Sequence, residues 1–329
     1  MSGTTARGAR WLGHALLVPI WVGVLALLVL VVARMVEFDD RHVFMLANAY
    51  TLWVLLPAYP VAVAAVCFRA WPLAGVAGIV VVAHLAWVGP PLLRSVPVSA
   101  AAGDAPQVRI VTANLRFNNA EHARTLAQLA RFDADVIVLE EVTPAWWAAI
   151  RGSALASSHP EVAEAVRDHP GGMAILSRVP LDDVEVQDAE GWPIITARAT
   201  LGGRTVNLAG VHVPSPLRTF TRNQLAQREV TAIVRALPRP RVLAGDFNAS
   251  PYNRWHQELL ELGLRDAHEA VGRPFATTWR TSRFLVPPLL IDHVYADAPL
   301  VPVAAREGEA LGSDHRPIVV DLAILPKSP

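Results

Sequence analysis

Hydrophobic positions are unevenly spread along the chain, and their period changes once. Trp11 to Ala33 is a run of 23 residues without a charge, with His14 its one strongly polar side chain. At 1.5 Å per residue, a helix of that length crosses a hydrocarbon layer about 30 Å thick. It exceeds the roughly 7 to 15 residues of a signal-peptide core, and no small-residue cleavage site follows, so it predicts a retained transmembrane helix. Val43 to Phe68 is a second uncharged stretch, interrupted by Pro57 and Pro60, which membrane helices tolerate better than soluble ones. Trp71 to Val88 is a third, with Trp71 and Trp87 near its ends, where amphipathic rings favour the interface. A buried helical hairpin is the competing reading, and three uncharged stretches in succession argue against it. Residues 1–94 are therefore expected to anchor the chain in a lipid bilayer through three spans, about 11–33, 43–68 and 71–88.

Residues 95–107, with Pro97 and the small-residue run Ser99 to Gly103, have the composition of a linker. Ala100 to Ala102 is a place where a signal-peptidase-like enzyme could cut. From Val108 onward short apolar runs alternate with amphipathic ones. Strands are predicted at Val108–Ala113, Val136–Leu139, Met173–Leu176, Ile194–Thr200, Thr205–Val211, Val242–Ala244, Leu290–Tyr295 and Pro317–Leu322. Gly202 and Gly203 make the hairpin turn between the fourth and fifth. Helices are predicted at Glu121–Phe132, with Leu126, Leu129 and Ala130 inward, and at Phe220–Leu237, stopped by Pro238. Hairpins mixed with βα units imply an α/β fold of two mixed β-sheets packed face to face, with helices outside, four layers over residues 108–324. Residues 325–329 form a tail.

Composition sharpens the division. The 329 residues are 53% hydrophobic and 18% charged, and the apolar excess sits in the first ninety. From Pro106 onward 22 Arg and one Lys face 25 Asp plus Glu, a net of −2 with His neutral. A non-specific duplex binder shows a basic excess instead, because its affinity comes from neutralising phosphates. The single cysteine, Cys67, excludes an intrachain disulfide and a multi-cysteine metal site. Arg7, Arg10 and Arg69 fall on one side of the three spans, and Arg34, Arg41 and Arg94 on the other, so the charge rule barely decides orientation. With the short N-terminal tail inside, a multi-pass plasma-membrane protein with an outward-facing soluble domain is expected.

The candidate chemistry centres on Arg241 to Pro251. An apolar strand there ends at Gly245, after which Asp246 and Asn248 can project into one cleft. A carboxylate and a carboxamide so placed suit phosphoryl chemistry, although the same residues also make ordinary turns. Other apolar runs also carry polar residues at or near their ends: Asn114, Glu141, His212, Asp292 and the group Ser313-Asp314-His315. Six such places imply a shared site.

In these motifs the chain resembles the endonuclease/exonuclease/phosphatase superfamily, the DNase I-like fold. The resemblance rests on Thr-Ala-Asn at 112–114, Asp-Val-Ile-Val-Leu-Glu-Glu at 135–141, Gly-Val-His at 210–212, Gly-Asp-Phe-Asn at 245–248, Ile-Asp-His-Val at 291–294 and Ser-Asp-His at 313–315. It covers about Val108 to Ile324, leaving the membrane segment outside.

The resemblance implies a metal-dependent hydrolase acting on nucleic acids, phospholipid headgroups or smaller phosphate esters, with Mg2+ as cofactor and Mn2+ as a substitute. Glu141 is implied as the principal metal ligand. Asp314 is implied as a second ligand or an orienter of the metal's waters, and Asn114 as a holder of metal or phosphate. Asp246 and Asn248 would aim a water in line. His315, beside the Asp292 carboxylate, and His212 would stabilise charge on the transferring group. Glu140 stands where relatives often carry Gln, and His293 where many have Tyr or an apolar residue, so neither receives a role.

Arg222, Arg228, Arg280 and Arg316 are candidates for further phosphate contacts. Trp279, Phe284, Leu285 and Pro287-Pro288 form an apolar loop that could line the cleft, touch the membrane or pack on the domain. A catalytically silent membrane scaffold on the same fold is the alternative; it predicts losses among Glu141, Asp246, Asn248 and His315, and none is lost. A transporter would want charges within its spans, which these lack.

Overall fold

The computed structural model describes residues 3–95, 102, 104–279 and 286–325, with side chains from residue 17 onward. Most of the expected linker run, the tail after Leu325, the side chain of His14, and Arg280, Phe284 and Leu285 of the apolar loop lie outside the described residues. The chain divides into two compact units, Met1–Pro90 and Pro91–Pro329.

Among the described residues of the first unit, two helices carry apolar stretches long enough to cross a membrane, Leu17–Val36 and Trp71–Leu93. The first lies within a helix over Gly3–Val36. The middle stretch, expected as one span interrupted by Pro57 and Pro60, is bent between its helices. It is a bent pair, His42–Ala49 and Thr51–Cys67, with a 76° angle between its parts. Polar groups inside the stretch explain the break. Asn48 donates to Asp39 Oδ1 at 2.7 Å and to the Phe38 carbonyl at 3.0 Å. Thr51 donates to the Asn48 carbonyl at 2.7 Å and accepts from Arg34 at 3.0 Å. Buried polar side chains must be satisfied, and here their partners draw the chain out of line. Pro57 then sits at the N-cap of Ala58–Cys67, where its missing N–H costs no intrahelical bond. Where three spans were expected, two helices among the described residues are long and apolar enough to cross a membrane, and the bent pair makes a third only if its two parts count as one broken span.

Among the described residues the second unit holds twelve strands: β1 Gln107–Asn114, β2 Val136–Glu140, β3 Glu161–Ala165, β4 Met173–Ser177, β5 Leu181–Ala189, β6 Trp192–Leu201, β7 Arg204–His212, β8 Arg241–Asp246, β9 Leu264–Asp266, β10 Asp292–Asp297, β11 Leu300–Glu307 and β12 Ile318–Ile324. They form two six-stranded sheets, ordered β11-β12-β1-β2-β4-β3 and β5-β6-β7-β8-β10-β9. Each sheet is antiparallel except for one parallel pair at its middle, β1 with β2 and β7 with β8. A parallel pair needs a crossover, which the helices His122–Arg131 and Pro216–Ala236 supply.

The facing sides of the sheets share one core, in which Ile110, Val138, Ile175, Ile195, Leu208, Val294 and Val320 are buried. Outside the first sheet, Val111, Ile137 and Val319 lie under Leu126, Leu129, Trp146 and Ile150. Outside the second, Val211, Leu243 and Tyr295 lie under Val230, Val234, Trp255 and Leu259. Central strands covered on both faces read as continuous apolar runs rather than as alternation, which is why Val136–Glu140 and Arg241–Asp246 stand out in the sequence.

Strand direction gathers the polar ends. The parallel register sets Asn114 beside Glu140 and His212 beside Asp246 at the carboxyl ends of their strands. Antiparallel pairing of β10 with β8 places Asp292 opposite Asp246. Pairing of β12 with β1 sets Ile318 against Thr112, so the segment before β12, which carries His315, arrives at the same edge.

Candidate active site

Glu141 follows the last residue of β2 in the left-handed region, with φ 60°. That turn is locked by close backbone contact: Val142 N–H donates to the Gly172 carbonyl at 3.0 Å, and a Cβ on Gly172 would stand 2.0 Å from the Val142 oxygen. Glu141 Oε1 accepts from Asn114 Nδ2 at 3.1 Å and Oε2 from the Phe117 N–H at 2.7 Å. Asn114 uses the same amide nitrogen toward Asp246 Oδ2, also at 3.1 Å. It thereby bridges the carboxylate of one sheet to the carboxylate of the other.

Asp246 is 1% exposed. Gly245 before it has φ 150°, and a Cβ there would meet the Val211 oxygen at 1.8 Å, so β8 approaches β7 this closely only without a side chain. Asn248, with φ 47°, donates its backbone N–H to Asp246 Oδ1 at 2.9 Å and its amide to the Val213 carbonyl at 2.9 Å.

His315 Nδ1 donates to both oxygens of Asp292 at 2.9 and 3.0 Å, and its Nε2 faces Asp246 Oδ2 at 3.8 Å. Burial opposes a charge on this ring, but Asp292 and Asp246 outweigh it and raise His315 to about 10. Burial, joined by the charge of Asp292, lifts Asp246 to about 7. His212 Nε2 lies 3.7 Å from the same Asp246 oxygen, Oδ2. Burial and then the His315 charge push it down to about 3, and Trp192 packs edge-on against its ring at 4.5 Å. One histidine is thus a cation and the other neutral, with a titratable carboxyl between them.

Asp314 stands apart from this buried group. Its side chain is 41% exposed and pairs with Arg116 at 3.7 Å. Arg222 donates to the Glu190 carbonyl, Arg228 is exposed on the helix Pro216–Ala236, and Arg316 gives its backbone N–H to the Thr278 carbonyl at 2.7 Å. The described part of the apolar loop packs on the domain: Trp279 forms backbone bridges to Leu289 and His315.

Several contributors escape sequence reasoning. Arg116, two residues after Asn114, directs its guanidinium toward Asp314 and the Gly312 carbonyl. Thr278 Oγ1 accepts the N–H of Ile291 and of Asp292 at 3.2 Å each, fixing the start of β10. Gly172 carries no chemical signal at all. Glu140 is fully buried with Oε1 accepting from Thr112 at 2.7 Å, and burial raises its carboxyl well above the ordinary range. It stands at the position where the resembled family often carries Gln.

Among the described residues two groups could offer metal ligands, Asp246–Asp292–His315 and His256–Asp266–His293. In the first, His315 Nδ1 already donates to Asp292, which leaves one ring nitrogen for any further contact. A hard divalent cation favours oxygen ligands, which Glu141 and Asn114 offer side by side, while Asp314 lies on the exposed side with Arg116. Each Glu141 oxygen accepts one hydrogen bond and retains a lone pair, and burial raises this carboxyl in the absence of a positive neighbour within hydrogen-bond reach.

The model of the Endonuclease/Exonuclease/phosphatase family matches residues 111–315. No curated protein sequence matches the chain. Among solved structures, D. rerio TDP2 complexed with single strand DNA product is 20% identical over 66% of this chain and 98% of its own, with a TM-score of 0.56. An endonuclease/exonuclease/phosphatase from Beutenbergia cavernae is 20% identical over 68% and 73%, at 0.55. The human Nocturnin catalytic domain with bound sulfate is 18% identical over 67% and 95%, at 0.51. At these identities the likeness is one of fold.

Proposed function

The chain belongs to the endonuclease/exonuclease/phosphatase family, and on that premise we propose that it is a membrane-anchored, Mg2+-dependent phosphoesterase. Its substrate would be a phosphodiester of a nucleic acid, a phospholipid headgroup or a small phosphate ester. The observation that carries this reading is the bridge through Asn114, whose amide joins Glu141 to Asp246 while Asp246 faces His315.

Glu141, with Asn114 beside it, would hold the cation, and Asp314 would be a second ligand or an orienter of the metal's waters; the cation would supply Lewis-acid stabilisation of charge on a phosphoryl oxygen. Asp246, lifted to about 7, is matched to take a proton from an attacking water near neutral pH. Asn248 spends one amide hydrogen on Val213 and keeps the other for a phosphoryl oxygen. His315, cationic between Asp292 and Asp246, stabilises the negative charge that builds in the transition state. His212 stays neutral and can hydrogen-bond the phosphoryl group without adding charge.

Membrane anchoring is supported by the apolar helices, whose outward side chains suit lipid. Val22, Phe68 and Val82 are 62%, 85% and 67% exposed, more apolar surface than water favours. An outward-facing catalytic domain follows if the short N-terminal tail stays inside.

The test is hydrolysis by the full chain in detergent, with Mg2+ or EDTA, of plasmid DNA, RNA, bis-p-nitrophenyl phosphate, sphingomyelin and inositol phosphates. Asp246→Ala and His315→Ala serve as controls. Metal-dependent cleavage lost in both variants supports the reading and names the substrate. Folded protein that cleaves nothing and shows no Mg2+ binding by calorimetry overturns it in favour of a silent scaffold.

A further inference from the structure

Asp292 and His293 are neighbours on β10 and point to opposite faces. Asp292 holds His315. His293, fully buried, lies under the turn that carries Asp246 and Asn248: its Nε2 contacts the Ala249 carbonyl at 2.9 Å and its Nδ1 contacts Asp266 Oδ2 at 2.7 Å. A carbonyl and a carboxylate only accept hydrogen bonds, so both ring nitrogens donate and the ring is an imidazolium. Burial disfavours its charge, and the Asp266 carboxylate more than restores it. Asp266 is itself fixed, since its Oδ1 caps the N–H of Glu269 at 2.9 Å.

The turn has three further supports. Phe247 N–H donates to the Ile291 carbonyl at 3.0 Å, and Asn248 donates to Asp246 and Val213. Those fix residues 246 to 248. His293 holds the next carbonyl, that of the buried Ala249. Asn248 holds a left-handed φ of 47°, a conformation a non-glycine residue keeps when its surroundings impose it.

We propose that His293, held by Asp266, is a positioning residue for the catalytic turn, fixing Asn248 and Asp246 through the Ala249 carbonyl. This rests on the phosphoesterase reading of that turn. The couple does not touch substrate. It acts by keeping the carboxamide and the carboxylate aligned while charge builds, a placement whose loosening by about 1 Å can cost on the order of 100-fold in rate.

Two variants of the full chain in detergent test it, with bis-p-nitrophenyl phosphate as substrate. In His293→Gln the carboxamide nitrogen reaches where Nε2 stood and can still serve Ala249. In His293→Asn the shorter side chain keeps the Asp266 contact and drops the carbonyl. Both place an amide in the same buried site, so a purely structural role moves both alike. The expected result is a kcat for the Asn variant about 10- to 100-fold down with KM within about twofold, and a Gln variant within about threefold of wild type. A Gln variant that falls as far as the Asn variant, or an Asn variant with wild-type kcat, overturns the proposal. The low-field Nδ1–H proton resonance of His293, expected in wild type and absent in Asp266→Asn, reports the couple apart from turnover. If wild type shows that resonance but no metal-dependent hydrolysis, the phosphoesterase reading fails and the positioning role fails with it. If hydrolysis is present and the resonance absent, only the couple is refuted.

Discussion

Replacing Asp246 with Asn should cost activity and add stability, with a pH signature that identifies the cause. In the folded chain this carboxyl is lifted from 3.8 to about 7 by burial and by the Asp292 charge. A folded pKa above the unfolded one means ionisation works against folding. The handicap is absent below about pH 3.8, grows by about 1.4 kcal/mol per pH unit above it, and levels off above about 7 at roughly 4 kcal/mol. Asn removes the ionisation and forfeits the bond from Asn114 Nδ2, worth about 1 kcal/mol. The net gain at pH 8.5 is about 3 kcal/mol. For a unit of this size that raises Tm by about 6 to 12 °C, and at pH 4 the gain vanishes or turns slightly negative. Loss of the proton acceptor lowers kcat about 100- to 10,000-fold. Thermal unfolding of both chains between pH 4 and 9, read alongside hydrolysis, decides the matter. A stability difference that does not change with pH, or an active Asn variant, refutes the placement of this carboxyl.

The pH profile of kcat/KM should be a bell. It falls as pH drops through about 7, where Asp246 gains its proton, and falls again as pH rises through about 10, where His315 loses its own; a profile flat from 5 to 9 argues against the Asp246 assignment, and one flat from 9 to 11 against that of His315. Gly172→Ala should cost more than about 3 kcal/mol, because its Cβ would stand 2.0 Å from backbone oxygen that cannot yield, and denaturant melts would show it. Arg116→Ala removes an exposed guanidinium beside Asp314. It should raise KM about 3- to 10-fold with Tm nearly unchanged, since an exposed ion pair contributes at most about 1 kcal/mol, and steady-state kinetics on the preferred substrate would check it.

The central strands β2, β4 and β8 are legible in the sequence because both faces are covered and the apolar run is unbroken. The edge strands are not. β5 reads Leu-Asp-Asp-Val-Glu-Val-Gln-Asp-Ala and is mostly exposed; β11 contains Pro302 and a register shift beside it; β3 is five residues with Glu at two of them. Strands that bury few side chains carry little apolar signal, and only the neighbouring strand's hydrogen bonds define them. The second apolar stretch near the N-terminus misled for the opposite reason: its lack of charge says nothing of Asn48 and Thr51 finding partners in Asp39 and Arg34.

The sequence by itself determined what is local: apolar stretches long enough for a bilayer, the core strands, and the kinds of side chain placed at their ends. Tertiary structure decided what those side chains are. His212 and His315 are the same residue, yet one is held neutral and the other cationic. Asp246 and Asp314 are the same residue, yet one is buried between two histidines and the other half-exposed beside an arginine. Protonation depends on burial and on charges a few ångströms away, and those neighbours come from segments up to two hundred residues distant in the chain. Only packing brings them within range.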